Sequence, residues 1–241
     1  LTTNKASGLI GSLLLLKRYL KRHQPPHHLV IASTPEFFVF RPEGKTADVY
    51  VKSVFRQPRE VEILRIYLAD EKLTFSPAIF RMDEMIGLKL TALLAPGPRG
   101  LFMGKKIPDS DYQTSPHTLQ ESTKNDILLR GKSSLKVSKA NLGILSEMCH
   151  VAQEFSFDLV IQIAPIPQST YDQWSISGTL SHFRFKIEEF IQKECTHGRF
   201  VDEGGNFIFP DEAMRDSDHL IRHDWTNAYA VILDDLVRSL P

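Results

Sequence analysis

The sequence predicts an α/β domain, a parallel sheet flanked by helices, on three observations. Leu29-Val30-Ile31-Ala32-Ser33 and the run from Asp158 to Ala164 are continuously aliphatic, as strands buried on both faces of a parallel sheet are. A stretch with apolar residues at helical spacing precedes each run, giving the helix-loop-strand order of βαβ units. Finally, 241 residues with 42% hydrophobic content suffice for one sizeable core of this class.

The elements follow in order. From Leu9 to Leu20 the apolar residues keep one helical face, and Lys17, Arg18, Lys21 and Arg22 gather at its end, where cations complement the helix dipole. Gln24-Pro25-Pro26 breaks this helix before the first strand. The run Leu9–Leu16 is too short to span a bilayer, and no small-residue cleavage site follows it as in a signal peptide. Phe37, Phe38, Val39 and Phe40 continue from the strand as an aromatic patch, read as a core edge covered by later helices. Asp48–Phe55 reads as a strand or an extended lead into a helix over Arg59–Ala69. A further amphipathic helix is expected over Arg81–Leu94, closed by Ala95-Pro96-Gly97-Pro98. Leu101–Lys136 reads as a long surface loop. Ser138 is a good N-cap for a helix over Lys139–Phe155, ahead of the second aliphatic strand. Pro165 and Pro167 end that strand, with Tyr171, Trp174 and Gly178 in the loop beyond. A helix over Leu180–Glu194, a short strand near Arg199–Asp202 and an amphipathic helix over Trp225–Leu240 complete the chain.

Composition narrows the function classes. With 29 basic and 29 acidic residues the formal net charge is +0, which gives no support for a nucleic-acid partner. Cys149 and Cys195 lie far apart without metal-ligand spacing, so a disulfide is neither required nor excluded. His23, His27 and His28 crowd one proline-rich loop, but no Cys, Asp or Glu stands near them in sequence to complete a zinc site. Trp174, Tyr171 and Trp225 suit a sugar subsite or a core equally.

The pair most suggestive of chemistry is Asp216 and His219, three positions apart just before the last helix. A carboxylate there can orient an imidazole and stabilise its protonated form while the histidine acts as general base. Asp218 is the rival acid and His223 the rival base. A solvated turn is the ordinary reading of such spacing.

In context, Phe209-Pro210-Asp211-Glu212-Ala213-Met214-Arg215-Asp216-Ser217-Asp218-His219-Leu220 resembles the last block of the SGNH (GDSL-type) hydrolase superfamily. Leu159-Val160-Ile161-Gln162-Ile163-Ala164-Pro165-Ile166-Pro167 is similar to the Pro-ended strand of that superfamily's membrane-anchored proteins of cell-envelope polysaccharide acylation. The resemblance covers the beginning of the chain and its C-terminal part, leaving the middle unplaced.

The resemblance implies a flavodoxin-like SGNH sandwich in which Asp216 and His219 are two members of a Ser-His-Asp triad. It implies that residues 1–241 form one domain, truncated before its first strand, with 45–136 as a helical or loop insertion covering the site. That missing strand would carry the nucleophilic serine. Asn4-Lys5-Ala6-Ser7-Gly8 then matches the loop after the second block, with Gly8 as an oxyanion-hole glycine or a plain helix start. Where the family has Gly-x-Asn, this chain has Ser33-Thr34-Pro35-Glu36, so the asparagine donor is lost. A second register makes Ser33 the nucleophile.

On this resemblance the expected function is that of an esterase or O-acyltransferase acting on acyl esters, with this chain alone inactive. No metal and no organic cofactor are expected. The expected partners are an acylated saccharide or a small acyl ester, with a membrane tether through an N-terminal segment and a periplasmic or cell-surface location. The alternative is a non-catalytic SGNH-like module that binds glycan or a partner protein.

Overall fold

The computed structural model describes residues 8–40, 51, 54–68, 121–163, 165–201, 207–215, 219–220 and 224–240. All of them belong to one compact unit formed by Leu1–Glu71 and Thr118–Pro241. The helix expected over Arg81–Leu94, most of Asp48–Phe55 and the first part of the Leu101–Lys136 stretch lie outside the described residues.

The first helix, α1 (Gly8–Leu20), leads into β1 (His28–Ser33) and a single helical turn, α2 (Glu36–Val39). Then come α3 (Pro58–Leu68), α4 (Glu121–Gly131) and α5 (Lys139–Phe155). After β2 (Asp158–Ile163) and the two-residue β3 (Ile166–Pro167) the chain forms α6 (Gln168–Ile176) and α7 (Thr179–Glu194). It closes with β4 (Gly198–Val201), β5 (Ile208–Phe209), a 3-10 turn at Asp211–Ala213 and α8 (Asp224–Ser239).

The described main sheet is parallel, in the order β1-β2-β4. Leu29 pairs with Leu159, and Leu159 in turn with Gly198. The middle strand has neighbours on both edges, and Leu159 through Ile163 are all buried. β1 is less covered than its aliphatic sequence predicts: Leu29 and Val30 are half-buried and Ala32 exposed, with Ile31 alone inside. Among the described residues no strand pairs with its other edge. A second, two-stranded parallel piece joins β3 to β5.

Ser138 caps α5 as the sequence predicts, its hydroxyl accepting from the Asn141 N–H at 3.1 Å. The buried residues of α5, among them Asn141, Leu145, Met148 and Ala152, recur every three or four positions and so share one face. Ser156 closes the helix in a left-handed conformation, φ 55°. Its N–H reaches back to the carbonyls of Ala152 and Gln153. Cys149 of α5 and Cys195 at the end of α7 form a disulfide, which resolves the pairing left open by the sequence.

Three expectations are corrected. Glu121–Gly131 is helix rather than loop. Its buried face is Thr123, Ile127, Arg130 and Gly131, at helical spacing but with a single apolar member, so hydrophobicity alone hides it. Tyr171 and Trp174 lie in α6, not in a loop. That helix owes its start to a carboxylate forty-two positions away, Asp211, which accepts from the Ser169 N–H at 3.0 Å. Phe37 and Phe38 do not prolong the strand; they lie on the turn α2, both buried, with Phe38 against Phe183. No helix among the described residues is long and apolar enough to cross a membrane.

Candidate functional site

In open parallel sheets the carboxyl ends of the strands are where ligands bind. Here that edge collects several buried polar side chains, Thr34, Arg130 and Asn141 among them. β1 ends at Ser33, half-buried, followed by the buried Thr34, whose carbonyl accepts the Phe37 N–H to start α2. At the start of α2, Glu36 receives the Arg130 guanidinium in a two-pronged ion pair, Nη2 to Oε2 at 2.7 Å and Nε to Oε1. Arg130 also lies over the Trp174 ring, 5.3 Å from its centroid. Trp174 is fully buried, which removes it from any sugar-stacking surface. Asn141, in the first turn of α5, donates from Nδ2 to the carbonyls of Phe38 and Phe40 at 2.6 and 3.1 Å. It thereby satisfies backbone groups that a short helical turn leaves unpaired.

From the end of β2 two residues lead to β3, and β3 pairs with β5. Pro210 and the 3-10 turn follow β5 directly, so this segment stands next to the carboxyl end of the middle strand. Asp211 is occupied by α6: beside the Ser169 N–H it accepts the Ser169 hydroxyl at 2.5 Å. It is therefore not the acid for a nearby histidine. Met214 then bridges antiparallel to Leu220, and the Arg215 N–H donates to the His219 carbonyl at 2.8 Å. His219 at this bridge is exposed, and Met214 is buried. Asp216, Asp218 and His223 lie outside the described residues, so the described structure fixes the place of His219 without that of its expected acid.

The loop rests on a small cluster of its own. Ile127, Phe209, Ala213 and Met214 are buried together, and Leu220, Tyr229 and Ile232 pack against them. The Phe209 ring meets Trp225 and Tyr229 edge-to-face, at 6.3 and 6.1 Å. Trp225 stays 37% exposed, whereas Tyr171 is half-buried and Trp174 fully buried. Burial raises the Tyr229 phenol well above its ordinary range.

Gly8 begins α1 with φ +60°, a left-handed backbone that glycine adopts without strain, and it is buried. α1 runs toward the amino end of β1 and contacts α2, so its first turn lies at the carboxyl edge. The structure thus brings Gly8, Ser33 and the His219 loop to one edge of the sheet through the topology. That conformation fits a helix-start glycine and an oxyanion glycine alike.

The histidines of the proline-rich loop go elsewhere. His28 starts β1 at the opposite, amino edge, its Nδ1 3.5 Å from Asp158 Oδ2, with His197 and Arg199 at 3.7 and 3.6 Å from the same carboxylate. Among the described residues no group of His, Cys, Asp or Glu is arranged to hold a metal ion. Comparison with family models, with curated proteins and with solved structures gives no match to this chain.

Proposed function

We propose that the chain is the greater part of an SGNH-type acyl-ester hydrolase or O-acyltransferase, with His219 as general base and Asp216 as its orienting acid. The observation that carries this reading is the position of His219. It stands at the Met214–Leu220 bridge, beside the carboxyl end of the middle parallel strand and shortly before the last helix. A base must reach the proton it removes, and this edge is where an α/β sheet gathers its reacting groups.

The chemistry runs as in other serine acyl transfers. A serine hydroxyl attacks the acyl carbonyl as His219 takes its proton, and the tetrahedral oxyanion is held by backbone N–H groups, that of Gly8 among them. Collapse expels the alcohol, which receives the proton from His219 and leaves an acyl-enzyme. Water or a sugar hydroxyl, deprotonated in turn by His219, then takes the acyl group and frees the serine. In this reading the serine belongs to a strand upstream of Leu1, beside β1. The half-exposed aliphatic residues Leu29 and Val30 support such a neighbour, which would cover them. The substrate class is an acyl ester, of envelope polysaccharide by the resemblance. The Cys149–Cys195 disulfide suits the oxidising periplasmic or cell-surface setting that goes with it.

The test is ester turnover by the intact gene product. It should hydrolyse p-nitrophenyl acetate, and Ser33→Ala should leave that rate unchanged. A rate abolished by Ser33→Ala would move the nucleophile to β1. A gene product without any turnover would favour the non-catalytic binding module.

A further inference from the structure

A cavity of about 400 Å3 opens between the last turns of α1 and α5 and the first turns of α3. Since α1 carries Gly8 at its other end, the cavity residues of that helix lie about 10–20 Å from Gly8 along it. Its lining is mixed, and the apolar part includes Leu14, which is buried, and Ile63 and Phe155, which are half-buried. Its rim is cationic, with four basic side chains against the carboxylates of Glu60 and Glu154.

Two of the four are already neutralised. Lys17 pairs with Glu147 at 2.6 Å, and Arg18 grips Glu60, Nε to Oε1 at 2.5 Å and Nη2 to Oε2 at 2.9 Å. Burial pushes the Glu60 carboxyl up, but the Arg18 hydrogen bond, the Gln57 N–H and the Arg18 and Lys21 charges together hold it below its ordinary range. Lys21 and Arg59 remain, both exposed. Lys21 has one long hydrogen bond, 3.4 Å to Gln57 Oε1, and Arg59 has no hydrogen bond or ion pair among the described residues. Arg59 also stands in the first turn of α3, where the helix dipole favours an anion.

We propose that this cavity binds an amphipathic anion, a single alkyl chain ending in a carboxylate. The chain lies on Leu14, Ile63 and Phe155, and the carboxylate sits between Lys21 and Arg59. The volume is of the size that takes one small ligand, and the two uncommitted cations at its rim set the sign of the head group. Glu154, the remaining carboxylate of the lining, adds discrimination against a doubly charged head by limiting the positive field. The site is independent of acyl chemistry at the other edge of the sheet.

Calorimetric titration with dodecanoate, below its micelle-forming concentration, tests this directly. Saturable one-to-one binding is expected, and dodecyltrimethylammonium, with the same chain and the opposite charge, should not bind. The double substitution K21Q/R59Q, at exposed positions, should weaken dodecanoate by at least about tenfold while circular dichroism shows the fold retained. Ile63→Trp should fill the cavity and abolish binding. Absence of saturable binding, equal binding of the two amphiphiles, or retained affinity in either variant would overturn the proposal.

Discussion

Tyr229, in the last helix, donates its hydroxyl to Oε1 of Gln162 at 3.3 Å, and Gln162 is the fully buried polar side chain of the middle strand. The same Gln162 spends its Nε2 on the Ile163 carbonyl. One hydrogen bond thus ties α8, the element that follows the His219 loop, to the centre of the sheet.

Tyr229→Phe should therefore leave a buried carbonyl oxygen unpaired and cost about 1–2 kcal/mol in chemical denaturation. It should also change the alkaline limb. Burial raises the folded-state value of this phenol, so the unfolded chain ionises first. The stability is complete below the unfolded value, about 10, and falls as pH rises above it. The variant should show a shallower fall above that pH; an unchanged alkaline limb would mean that Tyr229 ionises equally in both states.

Glu36 and Arg130 form an ion pair with side chains only 18% and 6% exposed. Breaking this largely buried pair is destabilising, so Glu36→Gln or Arg130→Met should each cost up to about 3–5 kcal/mol. The double variant should be less destabilised than the sum of the two. A double-mutant cycle by urea denaturation measures this, and strict additivity would show that the two groups are not coupled.

The disulfide joins residues 46 positions apart in sequence, and both cysteines are buried. Replacing both by Ala should lower stability by about 2–4 kcal/mol. Gly198 packs against this bridge so closely that an added Cβ would lie 2.5 Å from the Cys195 sulfur. The same Cβ would lie 2.6 Å from the Cys195 Cβ, an atom that alanine keeps, so Gly198→Ala should destabilise both the disulfide-bonded protein and the Cys149→Ala/Cys195→Ala background, as melting curves of the four variants would show.

Sequence alone carries the regular elements whose signals are local. The aliphatic β2, the Ser138-capped α5 and the amphipathic α8 are marked by composition and spacing inside their own segments. What the sequence hides depends on partners far along the chain. α4 buries Arg130 because Glu36 and Trp174 receive it, and α6 starts where Asp211 supplies its acceptor. The same holds at the candidate site. The Asp-x-x-His spacing singles out His219, but its placement comes from Met214 pairing with Leu220 and from β3 meeting β5. The network of Gln162 and Tyr229 had no sequence signal, because a lone Gln in an aliphatic strand reads as an ordinary interruption.

The proposed general base is tested by the rate of p-nitrophenyl acetate hydrolysis in the intact gene product carrying His219→Ala. In the proposed reading His219 is the general base of acylation and deacylation, so kcat/KM should fall by about 10^3–10^4-fold or more. His219 is exposed on a loop, so the substitution should leave the melting temperature and circular dichroism unchanged. A near-normal rate in a folded His219→Ala protein would contradict the assignment of His219 and, with it, the acyl-transfer reading.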